Sequence, residues 1–188
     1  MSPLILMAMP EPSTREALVR AFASTGLRAR LGDGMFDPLC WHQSLSDRYN
    51  NTGENLRLLL EAGSAVSAAP FLLGIDRLQS RAGRESIHWS LKPSRVPDEF
   101  AMLLQSLRNA LAAKHLDELA GHTAHITISY RAPIKQATIR IPPVLWTIDE
   151  FMLVRGGGEP YRYEVLRRWK LSGKSEPASG QLDFFGGR

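Results

Sequence analysis

Two histidines in this chain each stand two residues ahead of a hydroxyl, in His42-Gln43-Ser44-Leu45 and His125-Ile126-Thr127-Ile128. On a β-strand, side chains alternate faces with a period of two, so each histidine and its hydroxyl would point the same way. Two such strands brought together would present two imidazoles and two hydroxyls to one small volume. Imidazoles titrate near neutrality, so one can take a proton while the other gives one. Ser44 and Thr127 can donate hydrogen bonds to non-bridging oxygens as negative charge builds on them. That combination suits phosphate ester chemistry without a metal, and no His, Asp and Glu cluster has the spacing of a metal site.

One His-x-Ser/Thr pattern is weak. Ser and Thr make up about one residue in eight, and a third copy exists in His88-Trp89-Ser90-Leu91. The surroundings separate the three. Around His125 the alternation predicts a half-buried strand, with His125, Thr127 and Ser129 on one face and Ile126, Ile128 and Tyr130 on the other. His88, Ser90 and Lys92 alternate in the same manner against Ile87, Trp89 and Leu91. Around His42 the pattern is poorer, because Gln43 is polar. His115 and His122 read as a helix end and a turn.

The elements around these motifs follow from periodicity and punctuation. Leu4 to Ala8 reads as a buried strand. Ser13 with Glu16 forms a capping box ahead of a helix that Gly26 ends. Residues 31 to 38 form a loop into the first motif. Thr52 caps a helix carrying Leu56, Leu59 and Leu60, which Gly63 ends. Strands are expected over 68–78 and 85–91, joined by a polar turn. Phe100, Leu103, Leu104, Leu107 and Leu111 share a helical face. Pro142 and Pro143 punctuate the chain before strands at 145–154 and 161–171. Gly156-Gly157-Gly158 between those strands is a hairpin connection. It lacks the Lys-Ser/Thr ending and following helix of a phosphate loop.

The two motifs, the opening Pro3-Leu4-Ile5-Leu6-Met7-Ala8 and the closing Tyr161-Arg162-Tyr163-Glu164-Val165-Leu166-Arg167-Arg168-Trp169-Lys170-Leu171 resemble the two-histidine phosphoesterase superfamily. Within it the chain is similar to the LigT-like RNA 2′,3′-cyclic phosphodiesterases, the 2′-5′ RNA ligase family. The resemblance covers nearly the whole chain. It implies an α+β, two-lobed duplicated fold, with antiparallel sheets and outer helices facing a central cleft. It also favours His42 over His88 as the partner of His125. By the same resemblance His42 would be the general acid toward the 3′ oxygen and His125 the general base for water, giving a 2′-phosphomonoester, together with a reversible 2′-5′ RNA ligation. The chain departs from the family at two points. Gln43 stands where an apolar residue is usual. Tyr130 stands five residues after His125, where an Arg is common, and Arg131 follows it.

Substrate contacts beyond the motifs are sparse. Tyr130 and Trp41 are candidates to stack on a terminal base; Trp89, Trp146 and Trp169 read as core. Arg131 reaches the histidine face, and a phosphate there, only if no bulge intervenes. Two other readings stay open: a nucleotide or RNA binding module without catalysis, which Gln43 and Tyr130 would suit, and a phosphodiesterase for a small cyclic nucleotide such as ADP-ribose cyclic phosphate.

The 188 residues suffice for one bilobal domain over 1–171 and a tail over 172–188. A net charge of +4, carried mostly by Arg, permits a polyanionic ligand. Cys40 is the single cysteine, so there is no disulfide framework, and it reads as a small buried hydrophobe. No apolar run is long enough to span a membrane, and no basic region precedes the first apolar run as in a signal peptide. A cytoplasmic protein needing no cofactor is expected. The tail, rich in Gly, Ser and Pro, reads as mobile. It ends in Gln181-Leu182-Asp183-Phe184-Phe185, similar to the peptide by which bacterial proteins dock on the replication sliding clamp. Two Phe side chains packing on their own domain are the alternative.

Overall fold

The computed structural model describes residues 2–83, 86–116 and 121–173. Among these residues, eight strands form two four-stranded antiparallel sheets. They are β1 (Leu4–Ala8), β2 (Gln43–Ser44), β3 (Phe71–Ala82), β4 (Ile87–Pro93), β5 (Ile126–Ala132), β6 (Ile139–Ile148), β7 (Glu150–Gly157) and β8 (Arg162–Lys170). The first sheet has the order β2-β1-β7-β8 and the second β5-β4-β3-β6. The helices are α1 (Pro12–Ala23), α2 (Arg28–Leu31), α3 (Gly53–Ala65) and α4 (Asp98–Ala112). This is the expected α+β arrangement, and each motif strand holds the same place, an edge of its sheet.

The apolar run of β1 is buried on both faces. Leu4, Leu6 and Ala8 enter a large core that also takes Leu73, Ile75, Leu103, Leu107, Ile126 and Phe151. Ile5 and Met7 pack on the other side with Met152 and Val154, under Met9 and Tyr163. A strand covered on both faces shows no alternation, which is why β1 reads as a continuous hydrophobic run. α4 buries Phe100, Leu103, Leu107 and Leu111, the stripe its periodicity predicts.

Several boundaries differ from the sequence reading, each for a physical reason. α1 starts at Pro12, with Glu11 as its N-cap and Ser13 inside the first turn, where Ser13 Oγ donates to Glu11 Oε1 at 2.9 Å. Proline suits the first helical position because the N–H it lacks would have no helical partner. Thr52 does cap α3, accepting from the Asn55 N–H at 3.1 Å. Gly63 does not end that helix. It lies under Trp169, where a Cβ would stand 2.5 Å from the ring. The stretch 145–154 is two strands in different sheets, with Asp149 between β6 and β7. Pro142 and Pro143 lie within β6, exposed on the sheet edge at a register shift, where a missing N–H breaks no interior ladder.

Candidate active site

His42 immediately precedes β2 and His125 immediately precedes β5, so neither histidine is itself a strand residue. The alternation expected of the motifs still holds across them. Trp41, Gln43 and Leu45 are buried while His42 and Ser44 are half-buried, and Ile126 and Ile128 are buried while His125 and Thr127 are half-buried. β2 is only two residues long because it pairs briefly with β1, Met7 opposite Ser44 and Ala8 opposite Gln43.

The two histidines are held alike. His42 Nδ1 lies 2.7 Å from the carbonyl of Cys40, and His125 Nδ1 lies 2.8 Å from the carbonyl of Thr123. A carbonyl only accepts, so in each ring Nδ1 carries the hydrogen. Nε2 is then the nitrogen left to exchange a proton with a ligand. The motif edges of the two sheets are also joined directly. Gln43 accepts from the His125 N–H at 2.6 Å and donates to the Thr123 carbonyl at 3.1 Å.

Both imidazoles titrate below their ordinary value of 6.5. For His42, burial is the main cause, with Arg48 and His125 adding repulsion and the Cys40 carbonyl opposing the shift. For His125, burial again leads, the Thr123 carbonyl opposes it and Lys92 adds repulsion. With the two motifs tied through Gln43, a charge on His125 disfavours one on His42. Burial, followed by Arg81 and Arg77, in turn lowers Lys92. Arg77 faces Lys92 and Arg81 faces His88 across the β3–β4 ladder, and Arg77 also faces Arg140 on β6. Ser90, between His88 and Lys92, faces Thr127. A basic sheet face therefore leads away from the second motif.

The remaining expected contacts are redistributed by β-bulges in β5. Register shifts occur on both sides of Trp89, which pairs with Ser129 while Ser90 pairs with Thr127 and Ile87 with Ala132. Ser129 is consequently fully buried and its hydroxyl accepts from the Arg131 N–H at 3.0 Å, so it does not share the face of Thr127. Tyr130, expected on the apolar face, instead meets His88 edge-on at 4.8 Å and Phe36 at 5.1 Å, and is 42% exposed. Arg131 is exposed at the second bulge, so the bulge-free alternation that would place it with the histidines does not hold. Trp41 is 0% exposed and donates through Nε1 to the Phe36 carbonyl, so it cannot stack on a base. His88 bonds Ser86 Oγ at 3.0 Å. His115 ends α4 in a left-handed conformation, and His122 lies 3.6 Å from Asp47.

Sequence reasoning gave no role to Arg48 or Tyr163. Tyr163 meets His42 edge-on at 5.1 Å, and its hydroxyl is pushed well above its ordinary range, first by burial and then by Tyr161. A turn residue after one motif and a residue from the last strand leave no local pattern that would couple them to His42. Cys40 is half-buried; its carbonyl serves His42 and its thiol is raised mainly by burial. Among the described residues, no three His, Cys, Asp or Glu side chains form a group that could hold a metal ion. Among the same residues, no helix is long and apolar enough to cross a membrane. The Gln181–Phe185 segment lies outside the described residues.

Known structures share this arrangement of elements. E. coli LigT complexed with 3′-AMP superposes with a TM-score of 0.71 at 20% identity, covering 91% of this chain and 98% of LigT. TT0787 of Thermus thermophilus gives 0.69 at 23% identity, covering 92% and 100%. This is the LigT fold. A further structure described as a phosphoesterase matches at 0.67 and 20% identity, over 92% of this chain and 99% of its own. LigT has also been solved with ATP, with NADP+ and with phosphate. No protein-family model matches the sequence, and no curated protein does. The resemblance implied this two-lobed α+β fold, and in this chain each motif strand lies at an edge of its sheet.

Proposed function

We propose that this protein hydrolyses RNA 2′,3′-cyclic phosphate ends to 2′-phosphomonoesters, without a metal, with His42 as general acid and His125 as general base. The observation that carries the reading is the matched pair of imidazoles, each fixed through Nδ1 to the carbonyl two residues earlier and each left with Nε2. Water attacks phosphorus and loses its proton to His125 Nε2. The bond from phosphorus to the 3′ oxygen breaks, and that oxygen takes the proton of His42 Nε2. The phosphate stays on the 2′ oxygen, and exchange with solvent resets both rings. Ser44 and Thr127 donate to the non-bridging oxygens while charge accumulates there. With a 5′-hydroxyl in place of water as the nucleophile, the same proton transfers join the cyclic end to it through a 2′-5′ bond, and the reverse reaction cleaves that bond. The assignment of acid and base to particular histidines follows the family resemblance.

The basic face of Arg77, Arg81, Lys92 and Arg140 favours an extended polyanion over a small nucleotide. LigT binding 3′-AMP, ATP and NADP+ is consistent with nucleotide recognition in this fold. The test is hydrolysis, with EDTA present, of a short RNA ending in a 2′,3′-cyclic phosphate, alongside ADP-ribose cyclic phosphate. Conversion of the RNA end to a 2′-phosphate at the higher kcat/KM supports the proposal. Preference for the small nucleotide would move the substrate assignment, and inertness toward both would favour a binding module.

A further inference from the structure

Gln43 stands between His42 and Ser44, is 0% exposed, and occupies the motif position where an apolar residue is usual. A buried primary amide costs a few kcal/mol unless its polar atoms are bonded. Here they are. Oε1 accepts from the His125 N–H at 2.6 Å, and Nε2 donates to the carbonyls of Thr123 at 3.1 Å and Ser44 at 2.8 Å. β2 and β5 belong to different sheets, so no ladder joins them. The Gln43 amide supplies what a peptide group would supply in a strand pair, one acceptor and one donor, to the backbone just ahead of β5.

The Thr123 carbonyl that Gln43 holds is the one that receives Nδ1–H of His125. Gln43 therefore grips His125 twice: directly at its backbone N–H, and indirectly through the carbonyl that selects its tautomer. We infer that Gln43 is a positioning residue that ties the base imidazole to the backbone of the acid imidazole. This inference rests on the proposed acid and base roles. An apolar side chain at this position would fill the space but could neither accept from His125 nor orient Thr123.

The test compares wild type with Gln43→Leu, Gln43→Met and Gln43→Glu, each first shown to be folded by its urea midpoint. Two readouts are independent of activity: amide hydrogen exchange at His125, and the ¹⁵N shifts of its ring nitrogens, which report the tautomer. Exchange at His125 should accelerate at least about tenfold in the Leu and Met variants, with loss of the pure Nδ1–H tautomer. With the cyclic RNA substrate, kcat should fall about 10- to 100-fold while KM stays within about twofold, because the loss is one of alignment. The Glu variant should regain activity relative to wild type as pH falls, since a protonated carboxyl can both accept from His125 and donate to Thr123. Unchanged exchange and tautomer would overturn the inference, as would an unchanged kcat with exchange accelerated. A wild type inert on cyclic phosphates would remove the functional reading while exchange and tautomer still decide whether the tie exists.

Discussion

If His42 and His125 act as the proposed acid and base, their low titration should confine the reaction to the acid side of neutrality. The productive state needs one imidazole protonated and the other neutral. His42 and His125 each lie below the ordinary 6.5, mainly through burial. A group titrating at 6.5 is protonated in about one molecule in eleven at pH 7.5, and depressed groups fall below that. Above the higher of the two macroscopic pKa values, kcat/KM should therefore fall about tenfold per pH unit, and below the lower one it should fall again. The optimum is expected below pH 6.5. The assay is kcat/KM on the cyclic RNA substrate from pH 4 to 9 at constant ionic strength, which reads the free enzyme. Two substitutions then mark the limbs. Arg48→Met removes a repulsion from His42, and Lys92→Met removes one from His125, so each should move a limb toward higher pH. An optimum above pH 7.5, or limbs displaced toward lower pH in these variants, would refute the reasoning.

Removing one hydroxyl donor, by Thr127→Val or Ser44→Ala, should lower kcat by about 10²-fold with a smaller change in KM, measured by steady-state kinetics. Tyr130→Ala should instead raise KM for the RNA by about 5- to 100-fold at nearly constant kcat, the loss of one base-stacking surface. Raising salt should weaken RNA binding much more than binding of ADP-ribose cyclic phosphate, as titrations in 50 and 200 mM salt would show, if the RNA backbone runs along the basic face of Arg77, Arg81, Lys92 and Arg140 as proposed. Gly63→Ala should destabilise the fold by about 1–3 kcal/mol in urea denaturation, without moving the pH optimum. The new Cβ would press into a Trp169 ring already stacked on Phe151 at 5.1 Å and bonded to Ser64 at 3.1 Å.

The main elements were legible because their periodicities are strong. The stripe of α4, the double-sided run of β1 and the cap at Thr52 each follow from local pattern and local chemistry. What sequence could not show lies where tertiary pairing overrides alternation. The bulges in β5 send Ser129 into the interior and bring Tyr130 to His88, reversing both faces predicted by strict period two. Pro142 and Pro143 looked like a break because proline loses a ladder bond, yet at a sheet edge that bond was never needed. Gly63 looked like a stop, but its lack of a side chain serves Trp169, more than a hundred residues away in sequence. The two histidines proposed for the site could be singled out only with the family resemblance, because the motif has a third copy at His88. Arg48 and Tyr163 could not, since their coupling to His42 exists only in three dimensions. Gln43 drew notice as a departure from pattern, and its reason, a bond to the other motif, appears only once the two sheet edges are side by side.

The central claim is that His42 and His125 act as one proton-exchanging unit on a cyclic phosphodiester. Its most direct test is single-turnover hydrolysis of an RNA 2′,3′-cyclic phosphate in EDTA by wild type, His42→Ala, His125→Ala and the double variant. Each single change should slow the step by about 10²- to 10⁴-fold, and the double variant should be scarcely slower than the worse single. Near-wild-type rates in either single variant, or losses that multiply in the double, would contradict the account.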